Sequence, residues 1–460
     1  MSFDSPAYLI FLAAVFFLHR VCPVQGRWAL VLAASLFFYA CFSVPMTLLI
    51  VFVILLTYLA GIGIAGARGD LTRRLWLFAS ILGCMGLLFY FKYFNFAADA
   101  ILRLAGGRWE PLDIMLPAGC SFYTFQALSY VVDVYRGQIQ PVRHPGRYVL
   151  YVSFFPQLVA GPIERAGALL PQLEKMPTAS RDQIRQGLRL MLSGLFRKLV
   201  IADLAAPAVD RVFALASPDG AAVAAGTLLF ALQIYCDFAG YSEIAQGSAL
   251  LLGIQLRRNF DRPYLARTVR GFWRRWHMSL TAWFTDYVYI PLGGSRRGLF
   301  RQCAATMTVF LLSGLWHGAN WTFVLWGLWH GLCCTAEILC GQKDQDRGRI
   351  LNALSCLVTL MFILPGWILF RASSLPQALQ LFQSLFSAWH PALAAEQIQL
   401  APVQLVTLAL AVMQLPLLHG LGKQKPVSAV TCFYLAAAIA LAWLLRAGNA
   451  GPSAFIYFQF

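Results

Sequence analysis

Charge is what this sequence has least of. Only 12% of its 460 residues are Asp, Glu, Lys or Arg, and acids are the scarcer sign, 20 against 36 Lys and Arg. A soluble chain of this length would form several globular domains with far more charge, so that architecture is excluded. The eleven cysteines include no CxxC unit, and only Cys333 and Cys334 adjoin. Neither a zinc site nor a disulfide framework is therefore supported, no metal centre is expected, and the thiols read as small apolar packing residues. No GxxxxGK[ST] string occurs, so an ATP-driven pump has no engine. Ser242 is not the centre of a GxSxG elbow, because Ile244 stands where the last glycine belongs. The first apolar stretch lacks a basic leading region and a small-residue cleavage site, and is expected to remain as a span.

What the chain has in quantity is apolar sequence. Hydrophobic residues make up 59%, in runs near the twenty residues that a helix needs to cross a bilayer. Runs such as 46 to 65 and 400 to 418 do not alternate, which excludes a membrane barrel. The expected fold is all-α, a polytopic transmembrane bundle of about 11 to 13 membrane segments. It should be one integral-membrane domain over residues 1–460, with its catalytic core near 115–372. Spans are expected near 6 to 19, 28 to 44, 46 to 66, 75 to 97, 114 to 134, 147 to 160 and 185 to 205. Others fall near 222 to 252, 302 to 316, 319 to 340, 351 to 371, 400 to 419 and 428 to 446. Pro156, Pro162 and Pro291 interrupt their segments, so some of these are expected to be re-entrant.

The placed charges orient the chain. Asp4 alone precedes the first span, Arg20 and Arg27 follow it, and the turn at residues 43 to 45 is uncharged. Arg68, Arg73 and Arg74 come next, then a mixed loop from Arg103 to Asp113, then Arg136, Arg143 and Arg147. That alternation places the amino end outside the cytoplasm. The net charge of +16 is then a cytoplasmic-loop excess suited to anionic membrane lipid. Nucleic-acid binding is excluded, since no aromatic-basic groove or binding motif accompanies the charge.

Against this apolar background two imidazoles stand out, His317 and His330 in LLSGLWHGANWTFVLWGLWHG (311–331). Ionisable groups at membrane depth are costly and usually face a cavity, a partner or a substrate path; the alternative is a hydrogen-bonded core residue. Arg301 ends the preceding basic run, and sixteen helical residues beyond it span roughly 24 Å, so His317 is expected well across the membrane. His330, thirteen residues on, would face away from it by roughly 140° on one continuous helix and so has a different role.

A second block, 257–301, carries Phe272, Trp273, Trp276, Leu280, Trp283 and Phe284 at helical spacing, with Arg267, Arg270 and Arg274 on another face. The pattern predicts a surface helix. Its arginines either reach lipid phosphates at the inner leaflet or receive the phosphates of a cytoplasmic donor. His277 interrupts the apolar stripe, either as a structural hydrogen-bonding group or as a wall of a donor path. Asp237 and Glu243 sit in the apolar string YCDFAGYSEIAQG, shaping a polar cavity or bonding neighbouring helices. Asp344 and Asp346 read as a solvated turn.

The strings YCDFAGYSEIAQG, RRNFDRPYLARTVRGFWRRWHMSLTAWFTDYVYIPLGG and LLSGLWHGANWTFVLWGLWHG together resemble the membrane-bound O-acyltransferase family, in its bacterial alginate O-acetylation branch. PAGCSFYTFQALSYVVDVYRG from Pro117, FFPQLVAGPIERAGALLPQL from Phe154 and LFRASSLPQALQLF from Leu369 extend the similarity over nearly the whole chain. The resemblance implies a ring of helices around a funnel or tunnel, with His317 at the family's catalytic position and His277 at that of a supporting polar residue. His330, Asn320, Asp237 and Glu243 become candidates for the tunnel or substrate, and Arg267, Arg270 and Arg274 for donor phosphates. The resemblance also implies acetyl-coenzyme A or another acyl thioester as donor, with no bound cofactor. It further implies an exported polysaccharide acceptor, a periplasmic partner protein and a place in the bacterial inner membrane. The competing class is a non-enzymatic carrier or channel for an acyl group or lipid-linked sugar, with the histidines as relay or gate.

Overall fold

The computed structural model describes residues 1–159, 161–387, 389–416, 418 and 429–448, and every regular element among them is helical. The chain forms two compact units, Met1–Met191 with Ile244–Arg257, and Leu192–Glu243 with the described residues from Arg258 onward.

The first unit opens with α1 (Pro6–Val21), α2 (Val24–Ala40) and α3 (Val44–Gly66). Ser5 starts α1 by accepting the Tyr8 amide at 3.2 Å, and Pro6 occupies the first turn, where no amide is needed. α4 (Asp70–Leu88) runs through a π-turn into α5 (Phe94–Leu104). Then come α6 (Cys120–Tyr135), α7 (Pro145–Ser153), α8 (Phe155–Leu158), α9 (Ala166–Lys175) and α10 (Arg181–Leu195). The segment expected near 147 to 160 is not one span: the chain turns at Phe154 and a fresh helical turn begins at Phe155, with Pro156 in its first turn, where a proline without an amide is tolerated. Arg27 is not a free loop charge. It is buried, donating from Nη1 to the Met176 carbonyl at 3.1 Å and the Thr178 hydroxyl at 2.7 Å.

The second unit carries α11 (Asp203–Ala214), joined to α10 by a π-turn, and α12 (Gly220–Leu251), whose final turns belong to the first unit. α13 (Val269–Trp273) and α14 (Met278–Phe284) follow, then α15 (Leu299–His317), α16 (Trp321–Leu339) and α17 (Arg349–Arg371). α18 (Leu375–Leu385), α19 (Pro391–Ile398), α20 (Pro402–Met413) and α21 (Ala429–Gly448) complete the described elements. Of the spans expected near 400 to 419 and 428 to 446, residues 417, 419 and 428 lie outside the described residues.

Among the described residues five helical stretches are long and apolar enough to cross a membrane: Val44–Gly66, Asp70–Leu104, Gly220–Leu251, Trp321–Leu339 and Arg349–Arg371. α1 and α2 are shorter apolar helices. This is the expected all-α polytopic class.

Candidate active site

His317 is the last residue of α15, and the turn Gly318–Asn320 reverses the chain into α16. His317 and His330 are thus on two helices of a hairpin, not on one continuous helix. Two glycines make the hairpin close. A Cβ on Gly314 would strike the Phe323 carbonyl oxygen, and one on Gly327 the Phe310 carbonyl oxygen. Asn320 caps α16 by accepting the Thr322 amide at 3.1 Å and donates its own amide to the Ser373 carbonyl at 2.8 Å. His317 is 5% exposed and boxed edge-on by Trp316, Trp326 and Phe370, with ring centroids 5.0, 5.0 and 5.1 Å away. Gly327→Val is therefore expected to force α15 and α16 apart and abolish acyl transfer. A variant that is both well folded, by its thermal melting point in detergent, and fully active would refute this account of the hairpin.

His277 is positioned by backbone strain and by one asparagine. The expected surface helix through 270 to 284 is broken: α13 stops at Trp273, and His277 adopts a left-handed conformation (φ 42°) as the residue before α14. Such a backbone is unusual outside glycine and needs outside support. The Thr281 hydroxyl donates to the Trp273 carbonyl at 3.1 Å, and the Met278 amide donates to the Asn259 carbonyl at 2.9 Å. The Oδ1 of buried Asn259 accepts the Ser279 amide at 3.2 Å and its hydroxyl at 2.7 Å, and lies 3.3 Å from His277 Nδ1. A backbone amide can only donate, so that atom is the oxygen, and His277 Nδ1 carries the proton toward it. Nε2 is then the acceptor nitrogen. Burial lowers the His277 pKa from its ordinary value to about 3, because the cation would lose its hydration; the ring is neutral at physiological pH.

One cavity of about 330 Å³ is lined by both histidines, His277 and His317, together with Arg270, Trp273, Arg274, Thr281, Gln302, Thr306 and Ser313. His277 packs edge-on against Trp316 at 6.0 Å, one residue from His317. The two arginines there differ. Arg270 is held by Glu337 (Nε to Oε2 3.5 Å) and by the Gln342 carbonyl. Arg274 is exposed and forms no ion pair among the described residues. Arg267 is not on a common helix face with them. It precedes α13, does not line this cavity, and pairs with Asp344 at 2.7 Å. Asp344 also takes Arg275 at 3.1 Å, so this aspartate is an anchor and not part of a freely solvated turn.

The remaining candidates lie off this cavity. His330 is fully buried, with neither ring nitrogen hydrogen-bonded among the described residues. Trp273 and Trp326 stand edge-on to it at 4.9 and 5.0 Å. Asp237 pairs with Lys198 at 2.7 Å. Glu243 pairs with Arg197 at 3.1 Å and accepts the Ser193 hydroxyl at 2.7 Å. Both carboxylates tie α12 to the segment following α10.

Reading the sequence missed Asn259 and Glu337. Glu337 accepts the Val269 and Arg270 amides at 2.5 and 3.0 Å, a carboxylate at the positive end of α13. Its signal was present as a lone acid in an apolar helix. Asn259 gave none, being one polar residue in a polar loop.

The sequence model of the membrane-bound O-acyltransferase family matches residues 144–345, a stretch that contains the whole cavity lining. The chain is 36% identical to the probable alginate O-acetylase AlgI of Pseudomonas aeruginosa, over 84% of this chain and 75% of that protein. It is 36% identical to the protein of the same name from Azotobacter vinelandii, over 89% and 83%. It is 33% identical to the peptidoglycan O-acetyltransferase of Helicobacter pylori, over 84% and 80%. With similarity of that extent along both partners, the chain belongs to the membrane-bound O-acyltransferase family and is a multi-pass membrane O-acyltransferase.

Proposed function

We propose that the chain takes an acetyl group from a cytoplasmic thioester, acetyl-coenzyme A, and passes it across the bacterial inner membrane for O-acetylation of an exported polysaccharide such as alginate or another envelope glycan. The observation that carries this reading is the cavity shared by His317, His277 and two arginines, in a chain whose relatives are named for alginate and peptidoglycan O-acetylation.

In this reaction His317, neutral, accepts the proton of an acceptor hydroxyl as the oxygen attacks the thioester carbonyl. The C–O bond forms, the C–S bond breaks, and the leaving thiolate recovers a proton from the imidazolium. His277, its proton directed to Asn259, is a supporting group in the wall of the path. His330 and the Asn320 turn hold the hairpin that bears His317, and Asp237 and Glu243 hold the helices around it. A cavity of about 330 Å³ is at the small end of ligand pockets, which suits the acyl-bearing arm of the donor with its phosphates left at the mouth. A periplasmic partner protein completes delivery to the polymer.

The geometry favours Arg274 over Arg267 and Arg270 as the phosphate ligand, because the other two already have carboxylate partners. A hydrogen bond to a charged group is worth about 1.5 to 3 kcal/mol. Arg274→Ala is therefore expected to raise the KM for acetyl-coenzyme A roughly ten- to hundredfold with kcat little changed, read by thiol release in proteoliposomes. An unchanged KM would remove Arg274 from the donor site.

A further inference from the structure

A second cavity, about 350 Å³ in volume, opens beside α16 and α17, where the function described above leaves it unused. Its mouth carries Lys343 and Arg347, both exposed, neither of which forms an ion pair among the described residues. Its wall is Leu351, Leu354, Val358 and Phe362 of α17, 53, 53, 53 and 45% exposed respectively. These four recur at helical spacing and form one apolar stripe that descends from the basic mouth along a helix apolar enough to span a membrane. Glu337 also lines it, and its carboxylate is already occupied by the α13 amides and Arg270.

We propose that this groove is a binding site for one anionic glycerophospholipid, its phosphate held between Lys343 and Arg347 and one acyl chain laid along the α17 stripe. The two ends of the groove match the two ends of that molecule. Unpaired cations at a membrane surface attract anionic headgroups, and the apolar stripe of Leu351, Leu354, Val358 and Phe362 offers an acyl chain a continuous apolar contact. A soluble phosphate compound would match the mouth but leave the stripe unused.

The test uses the full-length protein in detergent, with phosphatidylglycerol and phosphatidylcholine added separately and retention measured by native mass spectrometry. Phosphatidylglycerol is expected to be retained at least tenfold more than phosphatidylcholine. Lys343→Glu with Arg347→Glu should abolish that preference. Val358→Trp, which fills the groove without altering charge, should also displace the lipid, while Arg296→Glu with Arg297→Glu on another exposed basic loop should not. Thermal melting of each variant verifies folding. Equal loss in both charge-reversed pairs would reduce the effect to general surface attraction and overturn the site. Competition by glycerol phosphate would show an anion site without a chain groove, and competition by coenzyme A would make the cavity part of the donor path; either result overturns the proposal. None of these readouts requires acyl transfer, so their failure is distinct from failure of the function above.

Discussion

His317→Ala is expected to slow acyl transfer about 10²- to 10⁴-fold, the usual worth of a positioned general base, while the protein still folds. The loss should fall on kcat, because the imidazole acts on the acceptor proton during attack and contributes little to holding the donor. Removing a ring boxed by Trp316, Trp326 and Phe370 also leaves a void, and voids cost stability in proportion to their size. His317→Gln separates the two effects: it restores much of the volume and a polar end but no base near neutral pH. Both variants should therefore be slow, with the glutamine the more stable. Measurement is thiol release per turnover on purified, reconstituted protein, with thermal melting in parallel. Near-normal turnover in either variant would exclude His317 as the proton acceptor.

The second large effect concerns stability. Lys198 is 2% exposed at its side chain and bridges Asp237 at 2.7 Å and Asp203 at 2.9 Å. Breaking a buried pair from one side leaves a carboxylate without its counter-charge, at a cost of about 3 to 5 kcal/mol, whereas replacing both partners by apolar residues is often nearly neutral. Lys198→Met is thus expected to lower the unfolding midpoint severely. Lys198→Met with Asp237→Leu should recover most of the loss, since the remaining Asp203 lies in the first turn of α11 and is partly exposed, where a carboxylate is tolerated. If the double variant is no more stable than Lys198→Met alone, the ion pair is not what Lys198 contributes.

Local pattern made parts of the site legible. The long apolar runs gave α3, α12, α16 and α17, because hydropathy over twenty residues reflects a physical requirement of the bilayer. The distance from Arg301 to His317 follows from helical rise alone, and α15 does run unbroken between them. The aromatic spacing in 270 to 284 misled, because periodicity assumes a continuous helix. The left-handed turn at His277 is maintained by Asn259, eighteen residues away, and by Thr281 reaching back to Trp273. Likewise Arg267, Arg270 and Arg274 look equivalent in sequence, yet Asp344 and Glu337 claim two of them.

By itself, then, the sequence determined that the chain lives in a membrane, that its polar residues there are few, and that its motifs are those of an acyltransferase family. All of these are properties of composition, run length or ordered strings, which need no partner in space. Only the tertiary structure decided which of the few polar groups share a cavity and which are paired off. That choice is set by contacts across 18 to 77 residues of chain, from His277 with Asn259 to Arg267 with Asp344, and no local period encodes such distances.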